Sequence, residues 1–404
     1  MLLMTADDKI LILGGRDSSV EWLTELGCRA DLIQSEKGLT ERQRAAASEV
    51  FLAEHDDVAR IADFALREHA RRPYASVITF QEPWLLAAAA VGEALGVCWN
   101  PPAAIRTACD KAATRDALAA AGCNGVRYRR CADLDDARAF LAEIGEPIIV
   151  KPVGASGSRG VGLVRDASEL EAAWRHATGA KGGAIIVEEY VDGPEFSVET
   201  ISADGVHEVL AVTEKLTTGA PNFVELGHVI PASRGVHDLE ALGAAAIDVL
   251  TAIAHRNGPC HSEFRLTPQG PKAIETQTRP GGDQIWELVH IVTGRNVYRE
   301  TLARLYGRAI EPLPQQAPAA AIRFLLSPGA GTVKGIDNIE HAAAVPGVRA
   351  VHLDAKTGSR VAPAASSSQR LGYCLAVGTT PGEAATAAEN SRDRLRVVLD
   401  TTAA

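Results

Sequence analysis

Two rhythms of apolar and polar positions run along the chain. Up to about residue 100, short apolar runs (KILILGG, ASVITF) are separated by stretches with helical spacing over Val58 to Arg71 and Trp84 to Leu95, a βα alternation that predicts a parallel sheet. Asn100-Pro101-Pro102 breaks this pattern, and an Ala- and Leu-rich helix follows from about Cys109 to Ala121, ended by Gly122. From Pro147 to about Ile201 the order becomes strand, Gly-rich loop, strand, helix, strand, turn, strand. A long helix (Leu239 to Asn257) and a hairpin (Cys260 to Gln277) come next. Beyond Pro312-Leu313-Pro314 there are short strands with Gly turns, and GYCLAVGTTPGEAATAAENSRDRLRVVL reads as a strand followed by a closing helix. The expected class is α/β with α+β lobes.

Composition narrows what such a chain can do. With 404 residues, 46% of them hydrophobic, it can bury a sizeable core in two or three lobes. A formal net charge of −10 speaks against a nucleic-acid surface built on bulk charge, so anionic ligands must be met locally. The opening MLLMTADDKILILGG has no basic flank and too short an apolar run for a signal or membrane segment, which points to the cytoplasm and to no membrane partner. Seven scattered cysteines with no C-x-x-C pair suit reduced thiols.

Four constellations carry candidate chemistry. In PIIVKPVGASGSRGVGLV a strand delivers Lys151 and opens into a loop with Gly154, Gly157, Gly160 and Gly162, whose backbone N–H groups can approach anionic oxygens. The lysine precedes the glycines, so this is not a Walker A loop, and a mobile surface hairpin reads equally well. In AIIVEEYVDGPEFSVET, Glu188 ends a buried-type strand and Glu195 heads the next one after the turn Asp192-Gly193-Pro194; such acids can accept from a ribose or adenine, or simply be solvated.

The third is the hairpin HSEFRLTPQGPKAIETQTRPGGD. If Leu266 pairs with Lys272, Glu263 falls opposite Glu275, and the period of two puts Gln277 and Arg279 on that face with Ile274 on the other. Facing carboxylates repel unless something cancels them, and a hard cation such as Mg²⁺ does so. A register slip of one residue would instead send one acid to solvent. Gly281 and Gly282 then expose backbone beside Arg279. The fourth is TEKLTTGAPNFVELGHVIPAS, a loop-rich stretch with Lys215, Glu225 and His228; a lone histidine there is more often structural than catalytic.

In this order, from DKAATRDALAAAG to RPGGDQIWELVHIVTGRN, the motifs resemble the ATP-grasp superfamily, and EKL...FVELGHVIP, the RPGGD loop, G-T-V-K-G and LGYCLAVGTTPGEA resemble its branch of L-amino acid (dipeptide) ligases. The resemblance implies an ATP-grasp fold with an N-terminal open α/β lobe (1–106), a core (107–308) that includes a lid lobe at about 125–195, and a C-terminal mixed lobe (309–404). It implies ATP on Lys111, Lys151, the loop residues Ser156, Gly157, Ser158 and Gly160, Glu188 near adenine, Val191 along the base and Glu195 at the ribose. It places two Mg²⁺ ions on Glu263, Glu275 and Gln277, the last where the family usually has asparagine, and makes Arg279, Lys151 and His228 catalytic.

The implied activity joins a carboxylate, an amino acid, to an amine through an acylphosphate, releasing ADP and phosphate. Small-molecule substrates and a homodimer, as in many relatives, go with it. Three alternatives stay open: transfer to a carrier-protein thiol or another amine, a carboxylase or purine-type enzyme, and a nucleotide-binding protein without turnover.

Overall fold

The computed structural model describes residues 8–145, 147–154, 157–180 and 183–401. The first four strands, β1 (Lys9–Leu13), β2 (Arg29–Gln34), β3 (Val50–Leu52) and β4 (Tyr74–Ile78), form a parallel sheet in the order β3-β2-β1-β4, as the βα rhythm predicts. Its apolar runs are buried on both faces: Leu11 and Leu13 pack towards the helices Val58–Arg71 and Leu85–Leu95, and Ile10 and Ile12 towards the helix Val297–Leu305. Beyond β1 the chain leaves the sheet in a bend. Gly14, at φ +63°, turns the chain there because a Cβ would lie 2.3 Å from the Trp84 indole, and just past β4 the chain presents Glu82.

A second, antiparallel sheet has the order β5-β8-β6-β7, from β5 (Tyr128–Cys131), β6 (Ile148–Pro152), β7 (Gly162–Val164) and β8 (Ile185–Glu189). In β6 the period of two sends Ile148 and Val150 into the core shared with the helices Leu134–Ile144 and Leu170–Gly179, and leaves Ile149 and Lys151 facing the cavity.

The third sheet has eight strands in the order β13-β12-β9-β10-β11-β14-β18-β16. They are β9 (Glu195–Ala203), β10 (Val206–Thr217), β11 (Glu225–Ile230), β12 (Gly258–Thr267), β13 (Gly270–Gln277), β14 (Ala319–Leu325), β16 (Val348–Leu353) and β18 (Gly372–Gly378). Hydrophobic side chains of the helix Val236–Ala252 join Phe196, Val198 and Phe264 in one core. A small sheet, β17-β15-β19, of β15 (Gly331–Asp337), β17 (Arg360–Val361) and β19 (Arg396–Asp400) completes the chain.

Three expectations change. The stretch with Lys215, Glu225 and His228 is not loop-rich but a β10–β11 pairing in which Lys215 lies opposite His228. The closing helix stops at Arg394, and the β-branched run after it becomes β19. In the hairpin Leu266 pairs with Pro271, not Lys272; a bulge between Glu263 and Phe264 inserts Ile274, restores Glu263 opposite Glu275, and turns Ile274 to the cavity side expected to exclude it.

Candidate functional site

A cavity of about 350 Å³ lies between the second sheet and the β9–β13 end of the third. Lys111, Lys151, Gly157, Ser158, Glu188, Val191, Glu195, His228, Glu263, Glu275, Gln277 and Arg279 all line it, so strands, a helix and two loops converge where the motifs predicted. Gly160 sits apart from this lining; it is buried and at φ +73°, with room for a Cβ denied by Ala180 at 2.7 Å. Ser156 lies outside the described residues.

Each buried cation in the cavity is matched to carboxylates. Lys151 reaches Glu188 at 2.6 Å, and Arg115 reaches the other oxygen of Glu188 at 2.9 Å. Burial would raise the Glu188 carboxyl, but the two cations outweigh it and hold it at about 2. Burial pulls Lys151 below its ordinary value against the pull of Glu188. Lys215 contacts Glu195 at 2.8 Å, Glu263 at 2.5 Å and Glu225 at 3.8 Å. Although burial opposes it, these acids hold Lys215 well above its usual range.

The facing acids are arranged alike. Oε1 of Glu275 accepts from Lys111 at 3.1 Å and from Gln277 Nε2 at 2.8 Å; Oε1 of Glu263 accepts from Lys215 at 2.5 Å and meets His261 Nε2 at 3.2 Å. Among the described residues neither Oε2 has a hydrogen-bond partner, and the Gln277 Oε1 is buried without one. Three oxygens therefore remain open near Lys111 and Lys215, a donor set that fits a hard cation keeping other coordination positions open. No group of three or more His, Cys, Asp and Glu that could hold a metal ion occurs among the described residues.

Beyond these acids, Arg279 donates to Glu82 at 2.7 Å and to the Pro280 carbonyl. His228 Nε2 meets Asp283 at 3.4 Å, and its Nδ1 is buried without a partner. Burial lowers the His228 pKa despite Asp283, which favours a neutral ring. Burial pushes the Glu225 carboxyl up to about 7 against the pull of Lys215. From the far end of the chain, the Ser367 hydroxyl donates to Glu225, and Arg370 grips Asp283 through both guanidinium nitrogens. Arg115, Glu82, Asp283, His261, Ser367 and Arg370 were not singled out from the sequence. Arg115, His261 and Asp283 stand inside quoted motifs, DKAATRDAL, HSEFRL and RPGGD; the other three had no local signal.

Residues 144–287 match the model of the ATP-grasp domain, and residues 323–400 match that of the L-amino acid ligase C-terminal domain 2. An uncharacterized protein of Sinorhizobium fredii is 32% identical over 290 residues, 70% of this chain and 60% of that one. The formate-dependent phosphoribosylglycinamide formyltransferase of Sodalis glossinidius is 29% identical over 278 residues, 67% of this chain and 66% of that one. The matches thus span under two-thirds of these relatives' own length. Among solved structures, an L-amino acid ligase from Bacillus licheniformis superposes with a TM-score of 0.84 at 24% identity, covering 98% of this chain and 99% of that one.

Proposed function

The chain carries an ATP-grasp domain joined to an L-amino acid ligase C-terminal domain, in an ATP-grasp fold, and from that premise we propose that it is an ADP-forming ligase coupling an amino acid to an amine. The observation that carries this reading is the set of three open oxygens, Glu263 Oε2, Glu275 Oε2 and Gln277 Oε1, in one cavity lined by Lys111, Lys151 and Arg279.

Lys111 and Lys151 stand where they can offset phosphate charge, with Gly157 and Ser158 of the loop beside them. Mg²⁺, when bound on Glu263, Glu275 and Gln277, supplies charge to the phosphoryl group being transferred. At the other end Arg279 can take the donor carboxylate and direct its oxygen at the γ-phosphorus, as ADP departs. Glu225, desolvated and, among the described residues, with Lys215 at 3.8 Å as its nearest cation, suits the ammonium group of an amino acid donor. The amine then attacks the acyl carbon, phosphate leaves, and the amine loses its proton. His228, neutral and with a free Nδ1, suits hydrogen bonding to the acyl group or its phosphate.

The test is release of phosphate from Mg²⁺-ATP against pairs of amino acids and small amines, with arms containing formate and bicarbonate, mass spectrometry of products, and Glu275→Ala as control. One pair giving ADP, phosphate and the condensed mass supports the reading. Stimulation by formate or bicarbonate alone, or none by any pair, sinks it.

A further inference from the structure

The acid Glu263 is held from behind by a chain of buried polar groups to which the proposed function assigns no role. Strands β9 and β12 are antiparallel, with His261 opposite Glu199 and Glu263 opposite Ser197. Because side chains two apart share a face, these four residues form a square on the cavity side of the sheet. Ser197, Glu199 and His261 are 0%, 4% and 5% exposed. Burying a carboxylate and an imidazole in a sheet interior is at best neutral for stability, so this pair contributes little as a fold-stabilising device.

The bonds form one continuous chain, with His261 between two carboxylates. The Ser197 hydroxyl donates to Glu199 Oε1 at 2.8 Å, the same oxygen meets His261 Nδ1 at 2.7 Å, and His261 Nε2 meets Glu263 Oε1 at 3.2 Å. With Lys215 on that same Oε1, the Glu263 carboxylate has one oxygen held by two donors and the other left open. Glu199 also reaches the other wall: its Oε2 lies 2.8 Å from where a Cβ on Gly281 would stand. One buried carboxylate therefore backs both the acid Glu263 and the loop that follows Arg279.

We infer that Glu199 and His261 are positioning residues: through the Glu199–His261–Glu263 relay they fix the rotamer of Glu263 so that its open oxygen faces a divalent cation. This rests on the reading of Glu263 as a cation ligand. The relay has the form in which an outer imidazole–carboxylate pair orients an inner ligand, and loss of such a partner costs roughly 10–100-fold in metal affinity.

The experiment is calorimetric binding of ADP to the intact chain across a Mg²⁺ titration, for the wild type, His261→Asn, Glu199→Gln and Glu263→Gln, with thermal unfolding of each in EDTA. The expected result is that His261→Asn needs roughly 10–100-fold more Mg²⁺ for half-saturation while its ADP affinity in EDTA is unchanged. Glu199→Gln, which keeps a hydrogen-bond acceptor but loses the charge, shifts in the same direction by less. A purely structural role would lower the unfolding temperature and leave the Mg²⁺ requirement alone, and that outcome overturns the inference. Should His261→Asn not fold, Glu199→Gln decides on the same criterion. A wild type whose ADP affinity ignores Mg²⁺, or a Glu263→Gln variant with wild-type dependence, overturns the ligand reading underneath, a result distinct from normal dependence surviving in the His261 variant.

Discussion

Arg115 Nε stands 2.9 Å from Glu188 Oε1, with both side chains almost wholly buried, and the same guanidinium donates to the Ala273 and Ile274 carbonyls at 2.8 and 2.7 Å. One arginine thus joins the helix Lys111–Ala120, strand β8 and the bulged part of β13. Its fork answers three acceptors at once, which an ammonium cannot do in one geometry. Arg115→Met should cost about 3–5 kcal/mol of stability by leaving Glu188 short of a partner in the interior. Arg115→Lys should recover only part of it. Urea unfolding of the two variants checks the order; equal stability of Arg115→Met and wild type would remove the joint from consideration.

What the sequence made legible, and what it hid, follows from the range of each interaction. The helix Val58–Arg71 has the bounds its apolar spacing predicts, and the structure shows Asp57 capping its start. Glu263 facing Glu275 was read correctly from a wrong register, since the bulge that absorbs Ile274 leaves no local mark. Arg115 looked like one more polar residue on an alanine-rich helix. Ser367 and Arg370 act across 142 and 87 residues of chain, on Glu225 and Asp283, and no pattern in one sequence announces contacts at that distance.

Gly193 is expected to tolerate no side chain. At φ +136° it lets the turn before β9 approach β12 so closely that a Cβ would lie 2.3 Å from the Leu266 carbonyl oxygen. Arg265 also donates to the Gly193 carbonyl at 2.7 Å, so the turn cannot simply retreat. Gly193→Ala should lose about 1–3 kcal/mol and move Glu195, weakening nucleotide binding. Thermal unfolding with and without ADP measures both parts.

Arg370 should separate recognition of the amino acid from recognition of the nucleotide. It lies 3.7 Å from the Phe324 ring centroid and bridges to Asp283, which also meets His228, while Lys151 and Glu188, the residues proposed for the nucleotide, belong to the second sheet. Arg370→Ala leaves the partly buried Asp283 with His228 alone. The expected outcome is a KM for the acyl donor raised about tenfold or more, with the KM for ATP within about twofold of wild type. An equal rise in both would place the effect in the fold.

Glu225 gives a pH dependence whose sign can be worked out. Burial raises its carboxyl from an ordinary 4.5 to about 7 in the folded chain. The folded state therefore binds the proton more tightly than the unfolded one. That stability is fully present below 4.5 and is lost as pH rises through about 7. A shift of this size corresponds to at most about 3 kcal/mol, so Glu225→Gln should be more stable than wild type above neutral pH by roughly 1–3 kcal/mol and match it in mild acid. Recognition of a donor ammonium runs the other way, because it needs the ionised carboxylate. In wild type the KM of the amino acid should fall as pH rises through about 7, and in Glu225→Gln it should be high and flat. A stability gain without the flattened KM profile would make Glu225 a strained structural acid and overturn its role as the ammonium site.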